Sequence, residues 1–437
     1  MFPLHERTQR TLCRVVFFPL CVLPTLWVAW WCVSINLASR SQELAREWSR
    51  SLGLDISVVK LSYPRPGETR LHDVRLVDPA SKRQVATCPL STVVHEDGTW
   101  KITLQRVDIQ ESSLVALWRT IIKSIEARSG SEPGAVRIVA RDVSIEGGER
   151  LFPLTKVVCQ VRPHRSGREL TLRLQPPHTD EADAIRVQSI REENADGGQT
   201  RWRFLTGETA IPTRLLAGIL PECVHLGRHC EIQGSLGWSS TTGSSSGDFA
   251  GVVSRIDLAR VTSVMGLGKV DGRGRLEVES ARFQGAALTS LKGNLTSGSG
   301  SIDSKLLRQL DLLLSQDKHS SFGSEAGEIA FEQLAMDIEI DQDGWHLSGT
   351  CDDERAGALL VDRHEVLLRQ TAEQASRPLR HSDVVALFAP QQSPWVPLGE
   401  HTGWLLRHLP WMPSSSSGER SEDEAASLGA GRTTQQR

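Results

Sequence analysis

The chain has 437 residues, a formal net charge of −3 and a sequence pI near 6.5. Its basic residues are scattered along the sequence, so the composition gives no indication of a nucleic-acid-binding protein. The five cysteines that follow the N-terminal apolar stretch are too few and too widely spaced to build a disulfide-stapled scaffold.

The first segment of interest is an apolar stretch at residues 15–39, which contains no charged side chain. A helix that crosses a bilayer needs about 20 mostly apolar residues, so this stretch predicts a transmembrane anchor. Pro19 and Pro24 are tolerated in a bilayer. A cleaved signal peptide and a buried core helix are the alternatives, but the stretch is too long for the first and lacks a small-residue cleavage site. Basic residues are balanced on its two sides, so charge alone does not fix the orientation.

Residues 40–230 are predicted to form a β-rich region with one helical insertion. Apolar residues alternate with polar ones from Leu54 onward, and an Asp-Gly turn at 97–98 leads into a strand that carries Ile102 on its apolar face. Residues 112–128 break this rhythm, because their apolar residues recur at helical spacing. The polar face of this helix is not strongly basic, which favours packing at one end of the sheet over binding to a membrane surface.

One dense Cys/His cluster follows, with Cys223, His225, His229 and Cys230 inside eight residues. Their spacing matches no zinc-site template, and adjacent side chains on a strand point to opposite faces. A disulfide between Cys223 and Cys230 is the favoured interpretation in an oxidising compartment. Unbonded thiols and a metal site remain as alternatives.

Residues 231–370 have the most regular alternation in the chain. Leu276 and Val278 share one strand face, and the apolar phase is reversed by Phe283, which predicts a β-bulge. A helix capped near residues 303–304 is followed by an alternating strand that includes Ile338 and by an Asp-Gly turn into Trp345. Residues 371–413 form a predicted closing segment, and residues 414–437, which are polar and contain no aromatic side chain, are predicted to be disordered.

Familiar catalytic motifs are not found in the sequence. Residues 266–269 contain a glycine-lysine pair but lack the upstream glycine and the Ser or Thr of a phosphate-binding loop. Neither a zinc-protease motif nor a hydrolase nucleophile elbow occurs. We therefore predict a protein that is not an enzyme and has no cofactor, no resident metal and no catalytic residue.

The C-terminal third resembles the AsmA family of inner-membrane-anchored envelope proteins. The resemblance rests on residues 270–278 (VDGRGRLEV), 293–295 (GNL), 300–307 (GSIDSKLL) and the alternating strands at 331–349 and 357–360. It implies an elongated, twisted antiparallel β-sheet groove with a few short helices behind an N-terminal transmembrane helix. It also implies that residues 1–14 are cytoplasmic, and that the bulk of the chain lies in the periplasm and takes part in envelope and outer-membrane biogenesis.

Three function classes follow from these features. The first is a membrane-anchored groove protein that binds or transfers lipid, with the inner membrane, phospholipid acyl chains and other envelope proteins as partners. The second is a scaffold of the same fold whose sheet is closed and free of lipid, and the third is an enzyme or metal protein built around the Cys/His cluster. The alternation along the strands predicts five groove-lining residues: Ile102, Leu276, Val278, Ile338 and Trp345. Packing in a core is an equal alternative for each of them.

Overall fold

The computed structural model describes residues 15–35, 42–43, 45–49, 54–126, 135–147, 150–164, 167–194, 197–217, 220–241, 244–285, 287–315, 327–351, 356–363, 365–371, 375, 377–380 and 384. These residues are mainly β, with a large, twisted, mixed sheet and few helices. They divide into two compact units after Ile256, whereas the sequence suggested a boundary after residue 230. The predictions for residues 1–14, 36–39 and 414–437, and for most of 371–413, lie outside the described residues.

Helical residues are present where the anchor was predicted. A π-helical turn at Phe18–Val22 leads into helix α1 at Leu23–Ile35. Most of the large apolar side chains between Val15 and Trp31 are exposed, with exposed fractions of 45% to 69%. Among the described residues, no helix combines the length and the apolar character that crossing a membrane requires. The N-terminal helix is therefore confirmed, and its insertion into a membrane stays a prediction.

Fifteen strands of the first unit are described. Their bounds are β1 Asp55–Arg65, β2 Glu68–Val77, β3 Gln84–Glu96, β4 Thr99–Leu104, β5 Val107–Gln110, β6 Ala135–Ala140, β7 Val143–Gly147, β8 Arg150–Leu154, β9 Lys156–His164, β10 Gly167–Gln175, β11 Ile185–Asn194, β12 Gly197–Leu205, β13 Ile211–Pro212, β14 Glu231–Thr241 and β15 Ser244–Asp257. Between these strands lie helix α2 at Leu114–Glu126 and 3₁₀ turns at Glu111–Ser113, Thr213–Leu216 and Pro221–Leu226.

The sheet of this unit is mixed, which corrects the prediction of an antiparallel sheet. Most neighbouring strands are antiparallel, but β4 runs parallel to β6 and β5 runs parallel to β7. Helix α2 supplies the crossover that such a parallel pair requires. It packs against β3 and β10, with Leu114 and Trp118 buried, as predicted for a helix that packs on the sheet.

A crease crosses the first strands of this sheet. In β3 the buried positions change from Ala86 and Cys88 to Ser91 and Val93, so the pleat shifts by one residue around Pro89. The opposing residue in β2, Asp73, has a φ of 52° and is left out of the pairing, in which His72 pairs with Leu90 and Val74 with Cys88. The irregularity continues in the neighbouring strands, where one or two non-strand residues separate β4 from β5, β6 from β7, and β8 from β9. A one-residue shift exchanges the two faces of a strand. The alternation of apolar and polar residues changes phase at the crease, so apolar side chains stay on the buried face on both sides of it.

The second unit has a main antiparallel sheet and a small three-stranded one. Its elements are α3 Leu258–Met265, β16 Val270–Asp271, β17 Arg273–Gln284, β18 Ala287–Ser297, β19 Gly300–Asp303, α4 Ser304–Ser315, β20 Glu328–Phe331, β21 Gln333–Ile340, β22 Trp345–Gly349, β23 Ala358–Val361 and β24 Val366–Arg369. Strands β16, β19 and β20 form the small sheet, and the other strands extend the pairing β17–β18–β21 through β22, β23 and β24.

Two predictions about this unit can be checked directly. The register shifts in β17 lie between Val278 and Ser280 and between Arg282 and Phe283, which confirms the predicted bulge. The alternation that puts Val270, Leu276 and Val278 on one face also predicts one continuous strand from Val270, and this prediction is wrong. Gly272, with a φ of 152°, separates β16 from β17 and sends the two pieces to different sheets.

Candidate functional site

Four of the five predicted lining residues lie on one face of the second unit's main sheet. Val278 on β17 pairs with Gly293 on β18, which in turn pairs with Ile338 on β21. Leu276 precedes Val278 by two residues, and Trp345 is the partner of Ile340, two residues beyond Ile338. Because direct cross-strand partners and residues two apart share a face, the strand-phase argument grouped these side chains correctly.

This face is partly covered by the unit's own helix. Leu306 and Leu307 of α4 are 3% and 0% exposed and belong to one buried cluster with Phe331 and Leu360. Met336 and Leu347, which lie on the same face as Ile338, pack against this cluster. At this end of the face, core packing accounts for the apolar pattern.

The fifth predicted residue, Ile102, lies in the first unit and belongs to a much longer arrangement. It pairs with Val93 on one side and with Ile138 on the other, and the register continues strand by strand to β15. We call the resulting line of cross-strand partners the apolar row, and its members are Val93, Ile102, Ile138, Cys159, Leu172, Val187, Phe204, Leu236 and Phe249. Every one of these nine strands contributes an apolar side chain.

Burial varies along the apolar row. From β10 to β15 the side chains are enclosed, for example Val187 at 0% and Phe204 at 3% exposed. On β4, β6 and β9 the side chains of Ile102, Ile138 and Cys159 are only half-buried. The row is therefore closed at Val93 and from β10 onward, and accessible on β4, β6 and β9.

A second line of partners runs beside the accessible part. Trp100 is 45% exposed, lies 4.5 Å from the His95 ring and pairs with the half-buried Val136. Farther along this line, Trp202 stacks on Trp238 with ring centroids 5.3 Å apart. We define the apolar patch as Trp100, Ile102, Val136, Ile138 and Cys159.

The opposite face of the same strands is polar and rich in arginine. One line of successive cross-strand partners on this face consists of Arg137, Gln160, Thr171, Gln188 and Arg203. The alternation of this part of the sequence therefore corresponds to a sheet with one apolar face and one polar face. Sequence reasoning missed the cluster of charge because the arginines are separated by strand and turn residues; their common signal is an Arg at alternate positions of successive strands.

The Cys/His cluster is dispersed by the structure. Cys230 is fully buried and its carbonyl oxygen accepts hydrogen bonds from the backbone N–H and hydroxyl of Thr213, whereas His229 is exposed. Both cysteines are described, and no disulfide bond joins Cys223 to Cys230 in this structure. Within the described part of the chain, no group of three or more His, Cys, Asp or Glu residues is arranged to hold a metal ion.

Burial also sets the chemistry of Cys230. Desolvation raises the pKa of its thiol to about 11, so the thiolate is disfavoured at neutral pH. A buried, protonated thiol is a poor nucleophile and a poor metal ligand. The local geometry makes Cys230 a packing residue of the segment between β13 and β14.

In comparisons with known proteins, no family model, no curated protein and no solved structure matches the chain. The resemblance to the AsmA family stays a prediction from the sequence motifs.

Proposed function

We propose that this chain is a membrane-anchored, non-enzymatic β-sheet protein that binds lipid acyl chains at the apolar patch. The observation that carries the proposal is the apolar row, which continues without a polar interruption across nine strands and is accessible where it reaches β4, β6 and β9. A binding surface for a chain-like apolar ligand needs continuity of this kind more than it needs polar groups.

The size of the patch suits an acyl chain. Strands β4, β6 and β9 are successive neighbours, so the accessible part spans about 10 Å at roughly 4.8 Å per strand. Each methylene group that leaves water contributes about 0.8 kcal/mol. A ligand covering this part of the row would therefore gain several kcal/mol from contact with Ile102, Ile138 and their neighbours.

The N-terminal helix supports a location at a membrane. Apolar side chains from Val15 to Trp31 project on all sides of the helix and are exposed. Such a surface is unfavourable in water unless lipid or protein covers it. We propose that it anchors the chain in the inner membrane as a single span and, following the family resemblance, that the sheet lies in the periplasm and serves envelope biogenesis.

Site-specific photocrosslinking in the full chain tests the lipid proposal. A photoreactive amino acid is placed at Ile138, whose side chain belongs to the patch, and in a matched variant at Val115, an exposed apolar residue of helix α2 that lies on neither face of the sheet. After irradiation of membranes from the producing cells, we expect a phospholipid adduct in the mass spectrum of the first variant and none in that of the second. Adducts at neither position, or equally at both, would reject an acyl-chain site on this face.

A second candidate function is a lipid-free scaffold for envelope machinery. It is favoured by the second unit, where Leu306 and Leu307 of α4 fill the face that was predicted to line a groove. The same crosslinking separates the two candidates, because a scaffold predicts protein adducts at position 138 in place of phospholipid.

A further inference from the structure

A set of exposed arginines gathers on the polar face of the first unit's sheet. Starting from the row that joins Arg137 to Arg203, residues two positions away on the same strands share that face. The face thereby collects six exposed arginines. One of them, Arg201, is ion-paired, and the other five are Arg137, Arg162, Arg173, Arg186 and Arg203. They lie on the consecutive neighbours β6, β9, β10, β11 and β12.

These five arginines take part in none of the ion pairs of the described residues. Glu169, which accepts a hydrogen bond from Gln188, is the direct cross-strand partner of Arg162. Other basic residues of the same face have acidic partners: Lys101 pairs with Glu96, and Arg201 pairs with Glu192 at 3.0 Å. Among the described ion pairs none includes one of the five, and Arg186 instead donates a hydrogen bond to the carbonyl oxygen of Ala182. The patch stands out against a chain whose overall net charge is −3.

The placement of two of them is costly for folding. Arg173 and Arg186 are direct cross-strand partners, so two like charges face each other across neighbouring strands. Such a pair destabilises a sheet relative to a neutral pair. A folding role does not explain it, whereas an external anion that contacts both guanidinium groups would.

The neighbouring side chains narrow the chemistry of that anion. Between the arginines the face presents Gln160, Thr171 and Gln188. Among the described residues of β6 and β9–β12 this face has no Phe, Tyr or Trp on which a nucleobase could stack, and its imidazole, His164, is half-buried at the end of β9. An extended, nearly two-dimensional array of cations suits an extended array of phosphates. In a chain that is tethered to a bilayer, such an array is presented by the membrane itself at high effective concentration.

We propose that this basic face docks on the anionic phospholipid headgroups of the membrane in which the chain is anchored. The inference rests on the proposed function for the anchor alone and is independent of the apolar patch. Docking on this face would turn the apolar face of the same strands away from the headgroups.

Chemical footprinting of arginines tests the docking with controls inside one molecule. The full chain is reconstituted into nanodiscs of phosphatidylcholine alone or of an equal mixture with phosphatidylglycerol, and phenylglyoxal modification is followed by mass spectrometry. We expect modification of Arg173, Arg186 and Arg203 to slow by at least about fivefold on the anionic discs and to recover in about 1 M salt, where the Debye length is about 3 Å. The exposed arginines Arg273 and Arg282 of the second unit serve as controls and should react alike on both discs.

A triple variant, Arg173→Gln with Arg186→Gln and Arg203→Gln, should abolish the remaining protection of Arg137 and Arg162. Its matched control carries Arg273→Gln, Arg282→Gln and Arg369→Gln, which removes the same charge from other exposed positions. Equal modification on both discs, or equal slowing of both arginine sets, overturns the proposal. Protection by heparin or an oligonucleotide on neutral discs, with none from anionic lipid, overturns it in favour of a soluble polyanion.

Failure of the anchor has a different signature. A chain that does not enter the discs contradicts the proposed function, and the same footprint is then read after adding free vesicles of the two lipid compositions to the detergent-solubilised chain. Protection by the anionic vesicles would support the docking face without the anchor, and its absence would overturn the docking face as well.

Discussion

The indole N–H of Trp118 on α2 donates a hydrogen bond to the carbonyl oxygen of Leu215, 97 residues further along the chain, at 3.2 Å. A half-exposed ion pair between Glu111 and Arg214, with an N–O distance of 3.4 Å, lies beside it. These contacts fasten the helical insertion to the 3₁₀ turn that follows β13. The helix therefore acts as a packing element of the first unit.

Trp118 offers the most direct test of this packing. We expect Trp118→Phe to lower the free energy of unfolding by about 1 kcal/mol through loss of the hydrogen bond. Trp118→Ala should cost about 3 to 5 kcal/mol because it also leaves a cavity. Urea denaturation measures both, and Arg119→Ala, at an exposed position of the same helix, should change stability by less than about 0.5 kcal/mol. Similar stabilities for all three variants would contradict the packing role.

The crease in the sheet leads to a prediction at Asp73. Its φ of 52° is unfavourable for most side chains and normal for glycine. Asp73→Gly should therefore leave stability unchanged or raise it by up to about 1 kcal/mol, whereas Asp73→Val should lower it by roughly 1 to 3 kcal/mol. Thermal unfolding of the two variants provides the comparison, and a more stable valine variant would show that Asp73 is not strained.

The sequence predicted those elements whose signal is local. Helical spacing at residues 112–128 and at 306–314 found α2 and α4, and alternation found most strands. It also placed Leu276 and Ile338 on one face, because strand periodicity directly reports which side a residue occupies.

Long-range pairing was out of reach of the same reasoning. Nothing in residues 99–140 indicates that β4 and β6 run parallel, since this depends on where the intervening helix returns the chain. The basic face was missed for the same reason, because Arg137 and Arg203 become neighbours in one row only through three intermediate strands. Helix α3, which begins after the Asp257 cap, was also missed, since its eight residues are too few for a clear periodic signal.

The two cysteines of the Cys/His cluster should differ in reactivity. Cys230 is fully buried and its pKa is raised, whereas Cys223 is half-buried. In the native protein at pH 8 we expect iodoacetamide to alkylate Cys223 at least about tenfold faster than Cys230, with both reacting fully in urea. Peptide mass spectrometry gives the two rates. Protection of both until a reductant is added would instead reveal the disulfide predicted from the sequence.

Cys230 should also contribute to loss of stability at alkaline pH. Its folded-state pKa of about 11 exceeds the value of about 8.5 expected in the unfolded chain. Below pH 8.5 both states keep the proton, but between pH 8.5 and 11 only the unfolded state loses it, so stability falls as the pH rises. The loss reaches roughly 2 to 3 kcal/mol by pH 11 and should be absent from Cys230→Ala. Urea titrations of both proteins at pH 7 and pH 10.5 measure it, and parallel losses would show that this thiol is not responsible.

Helix α4 decides how much of the second unit's apolar face is core. Leu307 is fully buried in the cluster with Phe331 and Leu360, whereas Leu312 on the same helix is 51% exposed. Since a buried Leu→Ala change removes both transfer free energy and packing contacts, Leu307→Ala should lower the free energy of unfolding by about 3 to 5 kcal/mol. Leu312→Ala, which makes the same change at an exposed position of the same helix, should lower the free energy of unfolding by less than about 1 kcal/mol. A small effect at Leu307 would mean that the helix lies loosely on the sheet and that this face is available to a ligand after all; a large effect would restrict the search for bound lipid to the first unit.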